Sequence, residues 1–314
     1  MLAVPDMLTL AAISPSEIGV LVLVGVGAGV LGGLLGIGGS IIMIPVLTLG
    51  FAHDQHISQA AAMIVNIVVA LAGVVRHTRA KAMDWSVVVR ILPAGLAAIV
   101  LGVEASNLID GTILKRCFGA FLLYVIWMNV RRLAMDRAAA ATARQRAEQL
   151  ARLDAADDAA SRADAEVLRA ADALAGVNDG PHVVWWRATV VGLITGFAAG
   201  LLGIGGGIIA VPIIQRVLRL PLRRCITTSA AIMCVTAPIG ALRKNLTLPE
   251  TLQSMNIPLE SPYEPLWIAA CLAPTALLGS FIGAGLTHRL PLRWIRALLV
   301  FLLTWASLKF LGLV

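Results

Sequence analysis

The sequence predicts an all-α, polytopic transmembrane helical protein made of two inverted repeats, each a glycine-broken, re-entrant helix followed by three spans. Three observations carry that expectation: long runs without charge, an internal repeat centred on glycine, and basic residues that alternate in opposite phase in the two halves. Of 314 residues, 59% are hydrophobic and only 14% charged, whereas a soluble domain carries about 25% charge. No charged residue occurs in Ile18–Ala52, Gln55–Val75, Cys225–Leu242 or Pro265–Thr287. Each run approaches or exceeds the roughly 20 residues that a helix needs to cross hydrocarbon. A soluble core helix would show a polar face every turn, and these runs do not.

The apolar segments lie at about 17–50, 57–75, 86–103, 113–130, 183–215, 225–242, 266–287 and 294–313. The first and fifth are too long for one straight span, and both are interrupted by glycines. Met1–Pro15 lacks a basic region and a small-residue cleavage site and reads as a short tail rather than a signal peptide. Between the fourth and fifth segments the polymer changes. Arg131–Asp179 is rich in Ala, Arg, Asp and Glu, which favour a solvated helix. One or two exposed helices are expected there, ending near Gly176 and Gly180-Pro181. Domain limits follow: a first membrane repeat at 1–130, a hydrophilic cytoplasmic helical linker at 131–182, and a second membrane repeat at 183–314.

The repeat is explicit. Gly29–Leu47 reads GVLGGLLGIGGSIIMIPVL and Gly196–Ile214 reads GFAAGLLGIGGGIIAVPII, with eleven of 19 positions identical at an offset of 167. The offset continues through Gly73/Gly240 and Arg76/Arg243. Flanking charge then sets the orientation, because Lys and Arg prefer cytoplasmic loops. The loop after the first broken segment has neither, and the next carries Arg76, Arg79 and Lys81. The loop after the second broken segment carries Arg216, Arg219, Arg223 and Arg224, and the next begins with Arg243 and Lys244 but runs on through Glu250, Glu260 and Glu264. The opposite phases predict that each broken segment enters and returns on its own side. Both termini would lie outside and the linker in the cytoplasm.

Within each broken segment the glycines free the backbone from helical geometry. In hydrocarbon such backbone survives only when buried in protein or lining a cavity. The expected substrate-binding positions are therefore Gly36, Gly38, Gly39 and Ser40 in the first repeat and Gly203, Gly205, Gly206 and Gly207 in the second. A half-helix restarts at about Ser40 and at Gly207, and its free N–H groups and positive dipole end suit an anion. Pro45 and Pro212 should limit or kink these half-helices. The glycines at Gly25, Gly29 and Gly33 fit close helix packing instead. Gly27–Gly32 also spells a dinucleotide fingerprint, but the second copy loses it and no strand precedes it.

Polar residues inside the apolar spans are few. Thr227, Thr228 and Ser229 open the sixth segment, and their hydroxyls could ligate an anion or bond back to their own helix. Asn66 is costly to bury alone, so it should bond across helices or line a path. Arg76 and Arg243 read as topology anchors that could also attract an anion. His53, Asp54 and His56 read as an interfacial cluster and Glu104 as a helix-end residue. The four cysteines form no metal motif. No acid–base or redox constellation calls for an enzyme, a metal or a cofactor, and the +7 charge reflects helix-end basic residues rather than a nucleic-acid partner.

The doubled motif, the apolar segments and Thr227-Thr228-Ser229 after the second motif resemble the TauE/SafE family, the sulfite exporter-type permeases. The specific part is GLLGIGGG-x-x-x-VP at Gly200–Pro212, echoed at Gly33–Pro45, and the resemblance covers about 245 residues in both membrane halves. It implies a secondary transporter, an exporter or permease, of a small sulfur-containing anion such as sulfite or an organosulfonate, in the inner (plasma) membrane of a bacterium. By the same resemblance the glycine motifs and Thr228-Ser229 are pathway residues. The first half has Ala61-Ala62 where the second has Thr228-Ser229, so hydroxyl ligands would come from one repeat. The alternative is a membrane scaffold whose linker binds a partner. Substrate, direction, coupling ion and oligomeric state stay open, a homo-oligomer included.

Overall fold

The computed structural model describes residues 15–35, 38–79, 84–155, 184–220, 222–257, 261, 263–286 and 292–312. The expected N-terminal tail and the linker's ends at Gly176 and Gly180 lie outside the described residues, as do Gly36 and Lys81. Among the described residues there is no strand. The first half contains α1 (Pro15–Leu35), α2 (Ser40–Pro45), α3 (Gln55–Arg79), α4 (Trp85–Asn107) and α5 (Gly111–Ala155). The second contains α6 (Trp185–Leu202), α7 (Gly207–Ile213), α8 (Leu222–Ser254), α9 (Glu264–Leu286) and α10 (Leu292–Phe310). Among the described residues, six helices are long and apolar enough to cross a membrane: α3, α4, the first part of α5, α6, α8 and α9. Leu23, Leu101, Leu278 and Phe301 are more than half exposed on their outer faces, as hydrocarbon-facing side chains would be.

Both broken segments are hairpins. After α1 the chain doubles back. A Cβ on Gly39 would touch Ala28, and one on Gly32 would touch the Gly38–Gly39 backbone. The second half repeats this, with Gly206 against Thr195 and Ala199. Each returning limb changes register just after its proline. Pro45 is followed by a π-helical turn at Val46–Gly50, and Pro212 by one at Ile214–Leu218. Proline lacks the N–H for the i−4 carbonyl and its ring crowds that carbonyl; a wider turn absorbs the misfit.

The two halves interlock through their glycine faces. α1 lies along α9 in the same direction, and a Cβ on Gly25, Gly29 or Gly33 would strike Thr275, Ala276 or Ser280 in turn. α6 lies along α4 in the same way, with Gly192, Gly196 and Gly200 against the backbones of Ile91, Gly95 and Ile99. Exchanging the halves converts one pair into the other. α3 packs on its counterpart α8 between them, and α5 on its counterpart α10. With no hydrophobic force between helices in lipid, such backbone approach is what supplies the dispersion energy.

Two ends can be distinguished. At one, His53 Nδ1 meets Glu264 Oε1 at 2.9 Å and Asn107 Nδ2 donates to Thr247 Oγ1 at 2.9 Å. At the other, Arg76 donates to the Phe281 carbonyl at 2.7 Å, Arg90 lies over the Trp185 ring, and Leu218 and Leu220 pack with Val87, Val88 and Ala188. This arrangement is compatible with inverted repeats. Two element limits differ from expectation. α5 runs through the expected boundary at residue 130 without a break, as a 45-residue helix exposed from Ala141 to Gln149. α8 does not stop near Leu242 but continues to Ser254, so Arg243 and Lys244 are helical residues and not the start of a loop.

Candidate functional site

The two hairpin tips meet over one side chain from each repeat. Gly38 has φ +76° and Gly205 φ +68°, the left-handed region that glycine enters without strain. A Cβ on Gly38 would sit 2.9 Å from Asn66 Oδ1 and 3.2 Å from Met233 Sδ, and one on Gly205 2.9 Å from Asn66 Nδ2 and 3.0 Å from the same sulfur. Asn66 and Met233 are themselves equivalent at the repeat offset of 167. Asn66 is fully buried. Its carbonyl accepts the Gly39 N–H at 3.1 Å and its amide donates to Ser40 Oγ, so it ties the first break to α3. Asn66 thus bonds across helices. Gly203, at φ +70°, ends α6 against the Gln59 side chain, and Gly206, at φ +81°, begins the return limb.

Beside the second break lies a cavity with room for about one water. Gly205, Gly206, Ser229, Thr195 and Thr236 are among the residues that line it. Its three hydroxyls have no counterpart in the first repeat, where the equivalent positions are Ala62, Ala28 and Val69. The equivalent of cavity-lining Ala210 is Met43, whose methyl reaches the position a Gly39 Cβ would take. The hydroxyls of this cavity therefore come from the second repeat alone. Thr195 Oγ1 donates to the Val191 carbonyl at 2.6 Å, Thr236 Oγ1 to Ile232 at 3.0 Å, and Ser229 Oγ to the Gly207 carbonyl at 3.3 Å. Those hydroxyls would have to rotate to donate to a guest. Thr227 bonds back to the Arg224 carbonyl at 3.0 Å, while the buried Thr228 hydroxyl has no hydrogen-bond partner among the described residues. Of the expected triplet, Ser229 lines this cavity together with the glycines.

A second polar cluster stands toward the His53–Glu264 end. Lys244 is fully buried. Its ammonium meets His56 Nδ1 at 2.9 Å, Ser106 Oγ at 3.0 Å and Asn107 Oδ1 at 2.8 Å. Ser106 donates to Gln59 Oε1 at 3.2 Å, and Gln59 Nε2 reaches the Leu201 carbonyl at 3.4 Å, at the tip of the second hairpin. Thr48, in the first π-helical turn, donates to Gln55 Oε1 and hydrogen-bonds the Ser58 hydroxyl. His56 is thus a buried helical residue and not an interfacial one, and Lys244, expected at the start of a loop, lies inside the bundle. The signal available was polar residues at helical spacing, with Gln55, His56 and Gln59 on α3 and Lys244, Thr247 and Thr251 on α8. Arg243 instead forms a half-exposed ion pair with Glu104, and Arg76 holds a backbone carbonyl. Each is thus held by a partner on another helix.

Comparison with known proteins follows the same lines. A family model described as "Sulfite exporter TauE/SafE" matches residues 21–310. The chain is 27% identical over 298 residues to a protein of Paramagnetospirillum magneticum named "Probable membrane transporter protein MamO", covering 95% of this chain and 45% of that protein. The Magnetospirillum gryphiswaldense protein of the same name is 25% identical over 284 residues, 90% of this chain and 43% of the relative. The chain thus spans about half the length of these two relatives. A "Probable membrane transporter protein" of Methanocaldococcus jannaschii is 26% identical over 288 residues, covering 89% of this chain and 90% of the relative. No solved structure matches the chain.

Proposed function

This chain belongs to the TauE/SafE family of sulfite exporters, and on that footing we propose that it is a secondary transporter of a small sulfur-containing anion, such as sulfite or an organosulfonate, across a bacterial inner membrane. The observation that carries the reading is the meeting of two non-helical glycine turns over Asn66 and Met233, next to a cavity lined by hydroxyls. Unpaired backbone in hydrocarbon is costly unless it lines a cavity. Inverted repeats with discontinuous helices place such a site near the midplane. The amides at the start of each return limb offer donors without fixed charge, and Ser229, Thr195 and Thr236 add hydroxyls from one side. The cavity has room for about one water, less than a sulfur oxyanion needs, so an anion held here requires its lining to widen. The hairpins enter from opposite faces in this reading, with the residue 216–224 loop and α5's extension in the cytoplasm.

The test is reconstitution in liposomes with radiolabelled sulfite, thiosulfate and an organosulfonate. The wild-type protein moves at least one of them. Gly205→Val and Gly206→Val insert normally but lose flux by at least about tenfold, since both put a β-branched residue at positive φ. Unchanged flux in these variants would remove the glycine crossing from the mechanism.

A further inference from the structure

We propose that the buried Lys244–His56 pair binds and releases one proton in each transport cycle, so that the anion travels together with a proton. The inference rests on the transport reading and names its coupling ion. Two basic nitrogens 2.9 Å apart, both fully buried, share one hydrogen bond. Among the described residues, no carboxylate lies within ion-pairing distance of Lys244. The carboxylates whose field reaches it are Asp54, at the start of α3, and Glu104 on α4, which is already paired with Arg243. Those facing His56 are Asp54, which accepts its backbone N–H, and Asp110, in the turn between α4 and α5. From α9, Glu264 is engaged by His53. A single positive charge is thus held in the protein by neutral acceptors. Intramembrane ionisable groups of this kind mark ion and proton pathways.

The loaded and unloaded states balance simply. Loaded, the Nζ ammonium donates its three protons to His56 Nδ1, Ser106 Oγ and Asn107 Oδ1. His56 then keeps its own proton on Nε2. That atom is buried and faces the Ile109 backbone, in the turn between α4 and α5. Unloading passes one Nζ proton to Nδ1 while the Nε2 proton leaves. The pair loses one proton and one positive charge, and His56 finishes as the other neutral tautomer. An anion subsite is the poorer account, because all three ammonium protons already have acceptors and an anion would have to displace one. The change is felt where transport needs it. The chain Lys244–Ser106–Gln59–Leu201 ends on the second hairpin, and Gly203 packs directly on Gln59. Asn66 lies two turns further along α3 from Gln59, about 10 Å.

The experiment uses proteoliposomes with a pH-reporting dye inside and radiolabelled isethionate outside, a sulfonate that carries no titrating proton, with sulfite at alkaline pH as second substrate. Wild-type uptake should acidify the lumen with one proton per anion. Each unit of pH difference, acid outside, should raise isethionate accumulation about tenfold. Lys244→Gln and His56→Gln should lose both the proton signal and the pH stimulation. Anion uptake with no proton movement and no response to the pH difference overturns the proposal and leaves the transport reading standing. Absence of any anion flux overturns both. Retention of coupling in Lys244→Gln also overturns it. If that variant aggregates, the wild-type stoichiometry and His56→Gln still decide.

Discussion

Asn66 is the residue on which the first hairpin depends. Its carbonyl is the acceptor for the Gly39 amide and its amide the donor to Ser40, and the amide also faces the place a Gly205 Cβ would occupy. Asn66→Leu leaves the Gly39 N–H buried and unpaired, a loss of about 1–3 kcal/mol. The expected result is a lower thermal midpoint in detergent together with lost flux. Ser40→Ala, which removes only the second bond, should cost less. An Asn66→Leu protein as stable as wild type would show that the tip is held by packing alone. Asn66 was legible in the sequence because an amide in an uncharged run is conspicuous. Lys244 was not. Next to Arg243 it reads as a pair of flanking charges, and only the prolongation of α8 and the arrival of His56, Ser106 and Asn107 from α3 and α4 bury it. Burial of a flexible cation is decided by partners far away in the chain, so local pattern cannot reveal it. Ser229 was legible as part of a hydroxyl triplet, but which of the three faces the cavity depends on the phase of α8 against α7, fixed here by its bond to the Gly207 carbonyl.

At the scale of elements, glycine has two separate jobs that the sequence distinguishes by spacing. At four-residue spacing, on α1 and α6, it opens a groove for a neighbouring backbone, and at the tips it takes positive φ. The first job predicts a steric penalty. Gly29→Leu and Gly196→Leu push side chains into the Ala276 and Gly95 backbones, respectively. Overpacking costs about 1–3 kcal/mol or more, so both variants should melt earlier in detergent. Gly19→Leu is the control, since nothing lies within 4 Å of its added Cβ and the residue is exposed. Equal melting of all three would deny that the glycine faces hold α1 on α9 and α6 on α4. The hairpin form of the broken segments was legible from their excess length, and the prolines announced a disturbance in the returning limbs. That the disturbance is a π-helical turn in both halves was not legible, because the extra residue per turn depends on how each limb meets the helix beside it. The end of α8 was hidden for a related reason. Pro249 and the polar residues after Leu242 look like a loop, yet Thr247 and Thr251 satisfy backbone carbonyls within the helix and Asn107 reaches across to Thr247.

For the whole molecule, the repeat and the charge pattern together make a geometric claim that can be checked from outside. Leu108 and Ser254 are exposed toward the His53–Glu264 end, and Ser86 and Arg219 toward the other. In a background with the four native cysteines replaced, Leu108→Cys and Ser254→Cys should be labelled by an impermeant reagent from the periplasmic side. Ser86→Cys and Arg219→Cys should be labelled only after the membrane is opened. Labelling of Ser86→Cys and Arg219→Cys from different sides would break the inverted arrangement, because the two halves would then enter the membrane in the same sense. The same map bears on the linker. α5 is 45 residues long, about 68 Å at helical rise. That is roughly twice a hydrocarbon core of about 30 Å, so its exposed end must project into water on the side where Arg131 and Arg132 lie. Among the described residues, nothing in the glycine crossing or the Lys244 cluster draws on that projection. Removal of residues 135–177 should therefore leave anion flux within about twofold of wild type, a change in barrier of less than about 0.5 kcal/mol. Loss of flux with insertion intact would instead assign the activity to whatever the projecting helix binds, and would favour the scaffold over the transporter.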